Sequence, residues 1–110
     1  MEISTRKEGK AVVVSVKGRI DAVTAPEFEK KLAGLVAEGE CNLLLNFRQL
    51  EYISSAGLRS ILATGKSLQA KEGKILFAEL QGPVGDVFKI SGFSSIFKIL
   101  ETEGEALNQI

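Results

Sequence analysis

The run Leu43-Leu44-Leu45-Asn46-Phe47, followed closely by Tyr52-Ile53-Ser54-Ser55-Ala56-Gly57-Leu58, decides how this chain folds. The first stretch is almost continuously apolar, as strands are when both faces of a parallel sheet are covered. The second opens a segment with helical spacing, carried by Leu58, Ile61, Leu62, Gly65 and Leu68. Two hydroxyl residues, Ser54 and Ser55, therefore stand where a strand hands over to a helix. The first N–H groups of a helix have no partner inside it, and an anion is tolerated best at that point.

Working outward, Glu2 to Glu8 reads as an edge strand and Gly9-Lys10 as a turn. The β-branched run Ala11 to Val16 reads as a central strand paired with it in a hairpin. Gly18-Arg19-Ile20-Asp21 leads out of the sheet. Thr24 and Glu27 form a capping-box pattern, with Pro26 in the first turn, and Phe28, Leu32, Leu35 and Val36 make one apolar helical face that Gly39 ends. Cys41 to Phe47 is the next strand. A long helix is predicted from Ser55 to Lys71, ended by Gly73, and then a short buried strand over Ile75 to Ala78. Gly82-Pro83 breaks the chain ahead of a short helix bearing Val84, Val87 and Phe88, which stops at Gly92. Ser95 to Leu100 reads as the last strand, and Thr102 with Glu105 caps a final helix. After the opening hairpin, strands and helices alternate. This predicts one α/β domain over residues 1–110, with a mixed, mostly parallel sheet, right-handed crossovers and about four helices.

Composition narrows the function. The 110 residues carry 14 basic and 14 acidic side chains, with no block of like charge. A nucleic-acid surface, which needs clustered Lys and Arg, is not expected. No apolar stretch approaches the roughly 20 residues of a membrane span, and Met1-Glu2 opens no apolar leader. The single cysteine, Cys41, permits no internal disulfide, which suits a reducing cytoplasm, and reads as a small buried side chain at a strand start. The chain has no histidine and no tryptophan. A histidine base, a serine–histidine–acid triad and most zinc sites are thereby excluded, so no enzyme and no cofactor is expected.

Two apparent motifs dissolve on inspection. Gly65-Lys66-Ser67 ends like a phosphate-binding loop, but the required upstream glycine is Ser60 and the tripeptide lies on a helical face. Gly65 reads instead as a site where the helix packs closely on the sheet. Ser95 and Lys98 have the spacing of a serine–lysine pair, but three residues apart on a strand they face opposite ways. The Ser54-Ser55 pair has two readings: a plain helix N-cap, or a phosphoacceptor whose phosphate the helix start accommodates. Ala56 and Gly57, both small, would let a kinase approach. Asp21 and Thr24 read as a capped turn, or as a loop on the same rim as Ser55 if the second and third strands are parallel neighbours.

Gly18-Arg19-Ile20-Asp21 with Thr24-Ala25, the segment Leu44 to Leu58, and Phe88 to Phe93 with Ile96-Phe97 together resemble the STAS domain family of anti-sigma-factor antagonists. The central segment is the most specific of the three. The resemblance implies phosphorylation at Ser55, with Ser54 as the alternative acceptor. The family often has Asp at the position of Ser54 and Ser at the position of Ala56. It implies a partner surface over Asp21, Thr24, Ser54 and Ser55, continued by Ala56, Gly57 and Arg59. The implied partners are an anti-sigma factor that is also a serine kinase, and a serine phosphatase; ATP and magnesium belong to the kinase. A stand-alone STAS subunit of a lipid-transport ATPase, docking through the same rim without phosphorylation, is the other function the resemblance offers.

Overall fold

The computed structural model describes residues 1–110. Strands β1 (Glu2–Glu8) and β2 (Ala11–Ile20) form the expected antiparallel hairpin, in register from Glu2 opposite Lys17 to Glu8 opposite Ala11. Helix α1 (Ala25–Ala37) leads to β3 (Asn42–Asn46), which lies parallel to β2, with Val12 opposite Leu43. Helix α2 (Ser55–Ala70) leads to β5 (Lys74–Ala78), parallel to β3. Helices α3 (Gly82–Ile90) and α4 (Phe93–Ile96) lead to β6 (Lys98–Leu100), parallel to β5. The sheet order is β1-β2-β3-β5-β6, and the short helix α5 (Glu103–Leu107) closes the chain.

The alternation of side chains along the strands divides the interior in two. Val12, Val14, Val16, Leu43, Leu45 and Phe77 point to the face covered by α1 to α4. Val13, Leu44, Leu76 and Ala78 point the other way, under Ala106 of α5. Both faces of the central strands are buried, which is why their sequences are apolar without a break. The Phe77 ring ties the α3–α4 layer down, with centroids 5.8 Å from Phe47, 5.2 Å from Phe88 and 5.4 Å from Phe97.

Several elements differ from their sequence reading. Leu50–Ile53 forms an additional strand, β4, parallel to the far end of β2. It escapes the alternation rule because Glu51 and Tyr52 are both exposed between buried Leu50 and Ile53. The pairing carries a register shift between Gly18 and Arg19, and Gly18 has φ of 101°, a conformation glycine takes without strain. The expected strand over Ser95–Leu100 is reduced to Lys98–Leu100. Ahead of it Gly92, at φ 82°, turns the chain into α4, which buries Phe93. Counting β4 and α4, the chain has six strands and five helices. At the end of α2 the left-handed residue is Glu72, with φ 57°. Gly73 is required for space instead, since a Cβ there would lie 2.3 Å from the Cys41 carbonyl oxygen. Gly65 meets the Phe97 ring, at 3.0 Å from a built Cβ, more closely than it meets the sheet. Cys41 itself is only half-buried and precedes β3.

The start of α2 is pressed hard against the sheet. A Cβ on Gly57 would fall 2.7 Å from Ile20 Cγ2 and 2.8 Å from Ile53 Cγ1, both on buried side chains. Gly57→Ala should therefore lower stability by about 1–3 kcal/mol through overpacking, despite the roughly 1 kcal/mol that alanine gains in helix propensity. Chemical denaturation of the two proteins measures the difference, and equal or greater stability of the alanine variant would contradict the packing described.

On the opposite face, α5 is held by polar contacts. The Glu103 carboxylate accepts from the Arg6 guanidinium on β1 and from Asn46 Nδ2 at 2.9 Å, and the Glu103 N–H donates to Glu79 Oε2 at 2.9 Å. The Arg6 hydrogen bond holds the Glu103 carboxyl below its ordinary range, against partial burial and with help from Asn46. A depressed acid stabilises the fold above its unfolded pKa of about 4.3 and ceases to do so as pH falls through its folded value. Glu103→Gln should therefore flatten the acid limb of the stability–pH curve below about pH 5, which urea midpoints measured from acid to neutral pH would show.

Candidate functional site

Because β4 runs parallel to the end of β2, the two strands finish side by side, Ile20 opposite Ile53. The Ser54 N–H then donates to the Ile20 carbonyl at 2.8 Å. This one bond places the start of α2 beside the loop that follows β2.

Ser54 is extended, at φ −91° and ψ 172°, and caps α2, its Oγ accepting the Gly57 N–H at 3.3 Å. Its carbonyl accepts the Leu58 N–H at 3.0 Å, and the residue is half-buried. Ser54 is thus engaged by backbone and side chain alike. Ser55, the first helical residue, is exposed, and its hydroxyl has no partner within the chain. The N–H groups of Ser55 and Ala56 also find no acceptor. The first turn of α2 carries no acidic residue of its own to offset the positive end of the helix.

The adjoining loop is tightly organised. Asp21 Oδ1 accepts the N–H groups of Val23 and Thr24, each at 3.0 Å. Thr24 Oγ1 accepts the Asp21 N–H at 2.9 Å and donates to the Arg19 carbonyl at 3.0 Å. The expected capping box is therefore absent: Thr24 makes no side-chain cap on α1 and Glu27 does not reach back. Asp21 wins the competition because its carboxylate accepts from two successive N–H groups at once. The Thr24 N–H bond, followed by that of Val23 and by the Arg19 charge, holds the Asp21 carboxyl below its ordinary range against partial desolvation.

The structure brings Asp21, Thr24, Ser54 and Ser55 to one rim through the Ser54–Ile20 bond. Arg59 is exposed one helical turn beyond Ser55. Gly57 is buried, so its small size serves the contact with Ile20 and Ile53. Three nearby residues escape sequence reasoning. Arg19 and Tyr52 are cross-strand partners, the guanidinium carbon 4.4 Å from the ring centroid, and only recognising β4 would have paired them. Val23 leaves 86% of its surface in solvent at the crest of the loop. Its one sequence signal is an apolar β-branched residue inside an Asx-type turn.

Chemically, the rim offers a free hydroxyl and free N–H donors suited to an anion. An Asp21 carboxylate of lowered pKa is a weak base, and with no histidine in the chain nothing here is set to activate Ser55 as a nucleophile. No three His, Cys, Asp or Glu side chains converge as a metal cage requires. No helix is long and apolar enough to cross a membrane.

Known proteins resemble this chain over nearly its full length. BtrV of Bordetella bronchiseptica, which carries a provisional anti-sigma factor antagonist name, is 35% identical over 106 residues, covering 96% of this chain and 91% of BtrV. The crystal structure of an anti-sigma factor antagonist from Mycobacterium paratuberculosis superposes with a TM-score of 0.91 at 28% identity, over 99% of this chain and 92% of that one. The antagonist SpoIIAA shares the fold in its unphosphorylated form, with a TM-score of 0.76 at 19% identity over 98% of this chain and 96% of that one. In its phosphorylated form it matches with a TM-score of 0.75 at 21% identity over 98% of each chain. The STAS domain family model matches residues 2–106, and the chain belongs to that family.

Proposed function

We propose that this protein is an anti-sigma factor antagonist that docks, through the rim around Ser55, on an anti-sigma factor with serine kinase activity, and that phosphorylation of Ser55 ends the complex. The observation that carries this reading is the contrast within the serine pair. Ser54 is tied down as a cap, whereas Ser55 shows a free hydroxyl above two unused N–H groups in a helix turn without acids. A phosphatase restores the docking form. The names of the relatives support the antagonist role.

The switch works through surface chemistry. A phosphoserine carries about −1.5 to −2 charges at neutral pH. On the free protein the helix start and water accommodate it. In a packed interface it must lose water against whatever the partner presents, and a like charge there opposes binding. A loss of about 2.8 kcal/mol already weakens affinity a hundredfold. No refolding is needed, because the change lies in the charge that Ser55 presents.

Ser55→Ala should stay folded, keep binding the kinase and take up no phosphate. Ser55→Asp should stay folded and bind more weakly. Ser54→Ala should lose about 1 kcal/mol of stability with the cap yet remain a substrate. Intact-mass measurement and peptide mapping after incubation with the cognate kinase and ATP read these outcomes. Phosphate on any residue other than Ser55 would remove the assignment, and no phosphate at all would favour docking without modification, as in a transport-complex subunit.

A further inference from the structure

We infer that Val23 is a rigid apolar anchor that docks into a socket on the partner, so that affinity and phosphate sensing reside in different residues of the rim. This rests on the reading of Ser55 as the switch and adds what holds the partner in place.

Among the large apolar side chains, Val23 at 86% and Ile90 at 87% are the most exposed. Their settings differ. Ile90 ends α3, outside the loop after β2 and the start of α2 that make the rim. Val23 stands on the Ser55 rim, two residues beyond Asp21, whose preceding carbonyl, that of Ile20, accepts the Ser54 N–H. Its backbone is fixed on both sides by the Asp21 carboxylate, and the loop is closed underneath by the Thr24 hydroxyl on the Arg19 carbonyl. An apolar side chain held out on an ordered loop loses little freedom when a partner covers it, which is what preorganisation contributes to affinity.

The flanking charges indicate what covers it. The ion pairs of this protein join Arg6 to Glu8 and Glu103, and Lys7 to Glu40. Arg19 and Arg59, one on the strand that leads to Val23 and one on α2 beyond Ser55, are in none, and they add positive charge to the rim that the Asp21 carboxylate near Arg19 offsets only in part. Arg19 is already oriented by stacking on Tyr52. Arg and Tyr are the residue types that dominate interface energetics. The complementary partner is a folded protein face with a concave apolar socket for Val23 and carboxylates at its edge for the two arginines. A phosphate on Ser55 would place negative charge beside those carboxylates, which gives the repulsion the switch requires.

The test is a binding titration of the unphosphorylated protein with the cognate kinase, paired with the steady-state kinetics of Ser55 phosphorylation. Val23→Asp should weaken binding by about tenfold or more, the loss expected when the burial of one valine side chain is forfeited. It should raise KM with kcat little changed and leave the thermal unfolding midpoint as it was. Val23→Ile should bind like the parent, and Ile90→Asp, equally exposed but on α3 rather than on the rim, should have no effect. Val23→Asp binding within about threefold of the parent, or an equal loss from Ile90→Asp, would overturn the anchor while leaving the Ser55 switch intact. Failure of the parent protein itself to bind the kinase would overturn both.

Discussion

The hydrogen bond from the Ser54 N–H to the Ile20 carbonyl, 2.8 Å long, is the constraint on which the rim depends. It exists because β2 outruns β3. The central pairing of β2 with β3 ends at Ser15 opposite Asn46, and the remaining residues of β2 turn through the irregularity at Gly18 to pair with β4 instead. That second pairing carries the chain to Ile53 level with Ile20, and the next residue can then cap a helix while bonded to the strand. Gly57 completes the fit by leaving room for Ile20 and Ile53 against the helix. A site made of one loop and one helix start thus inherits the rigidity of two strands.

How much of this was legible in sequence follows from how local each feature is. The parallel core was readable because Val12 to Val14 and Leu43 to Leu45 are buried on both faces and so are apolar without alternation. The long helix was readable from its spacing, and Ser54 and Ser55 stood out as candidates because capping chemistry is local. Strand β4 was hidden because it is four residues long, pairs with β2 alone, and exposes two successive side chains. The Phe93–Ile96 segment misled because its apolar residues fit a strand as well as a helical turn, and only the burial of Phe93 in the aromatic cluster decides between them. The pattern Thr24–Glu27 was a fair capping signal that lost to a better acceptor three residues earlier, Asp21. Val23 and the Arg19–Tyr52 pair were out of reach, since solvent exposure and cross-strand stacking are properties of the assembled sheet.

The two faces of the sheet are secured by different physics. The α1–α4 face rests on a large apolar cluster with linked phenylalanine rings. The α5 face has a small apolar cluster and draws on Arg6, Asn46 and Glu79 around Glu103. Carboxylate bonds of that kind are partly exposed, and their strength falls as the acid is protonated. Acid should therefore loosen the attachment of α5.

A rigid rim suits a covalent label better than a flexible one would. If docking required the loop and helix start to order, part of the binding free energy would be consumed in ordering them, and a phosphate would have to oppose that process as well as the contact. Here the Asp21 carboxylate and the Ser54 cap have already fixed the backbone through bonds that do not involve the Ser55 hydroxyl. Modifying Ser55 therefore changes the charge presented to a partner without drawing on the bonds that shape the surface. On the proposed reading, the separation would also account for a pair with the cap first and the free hydroxyl second. In the reverse order, the group to be modified would be the group holding the helix in place.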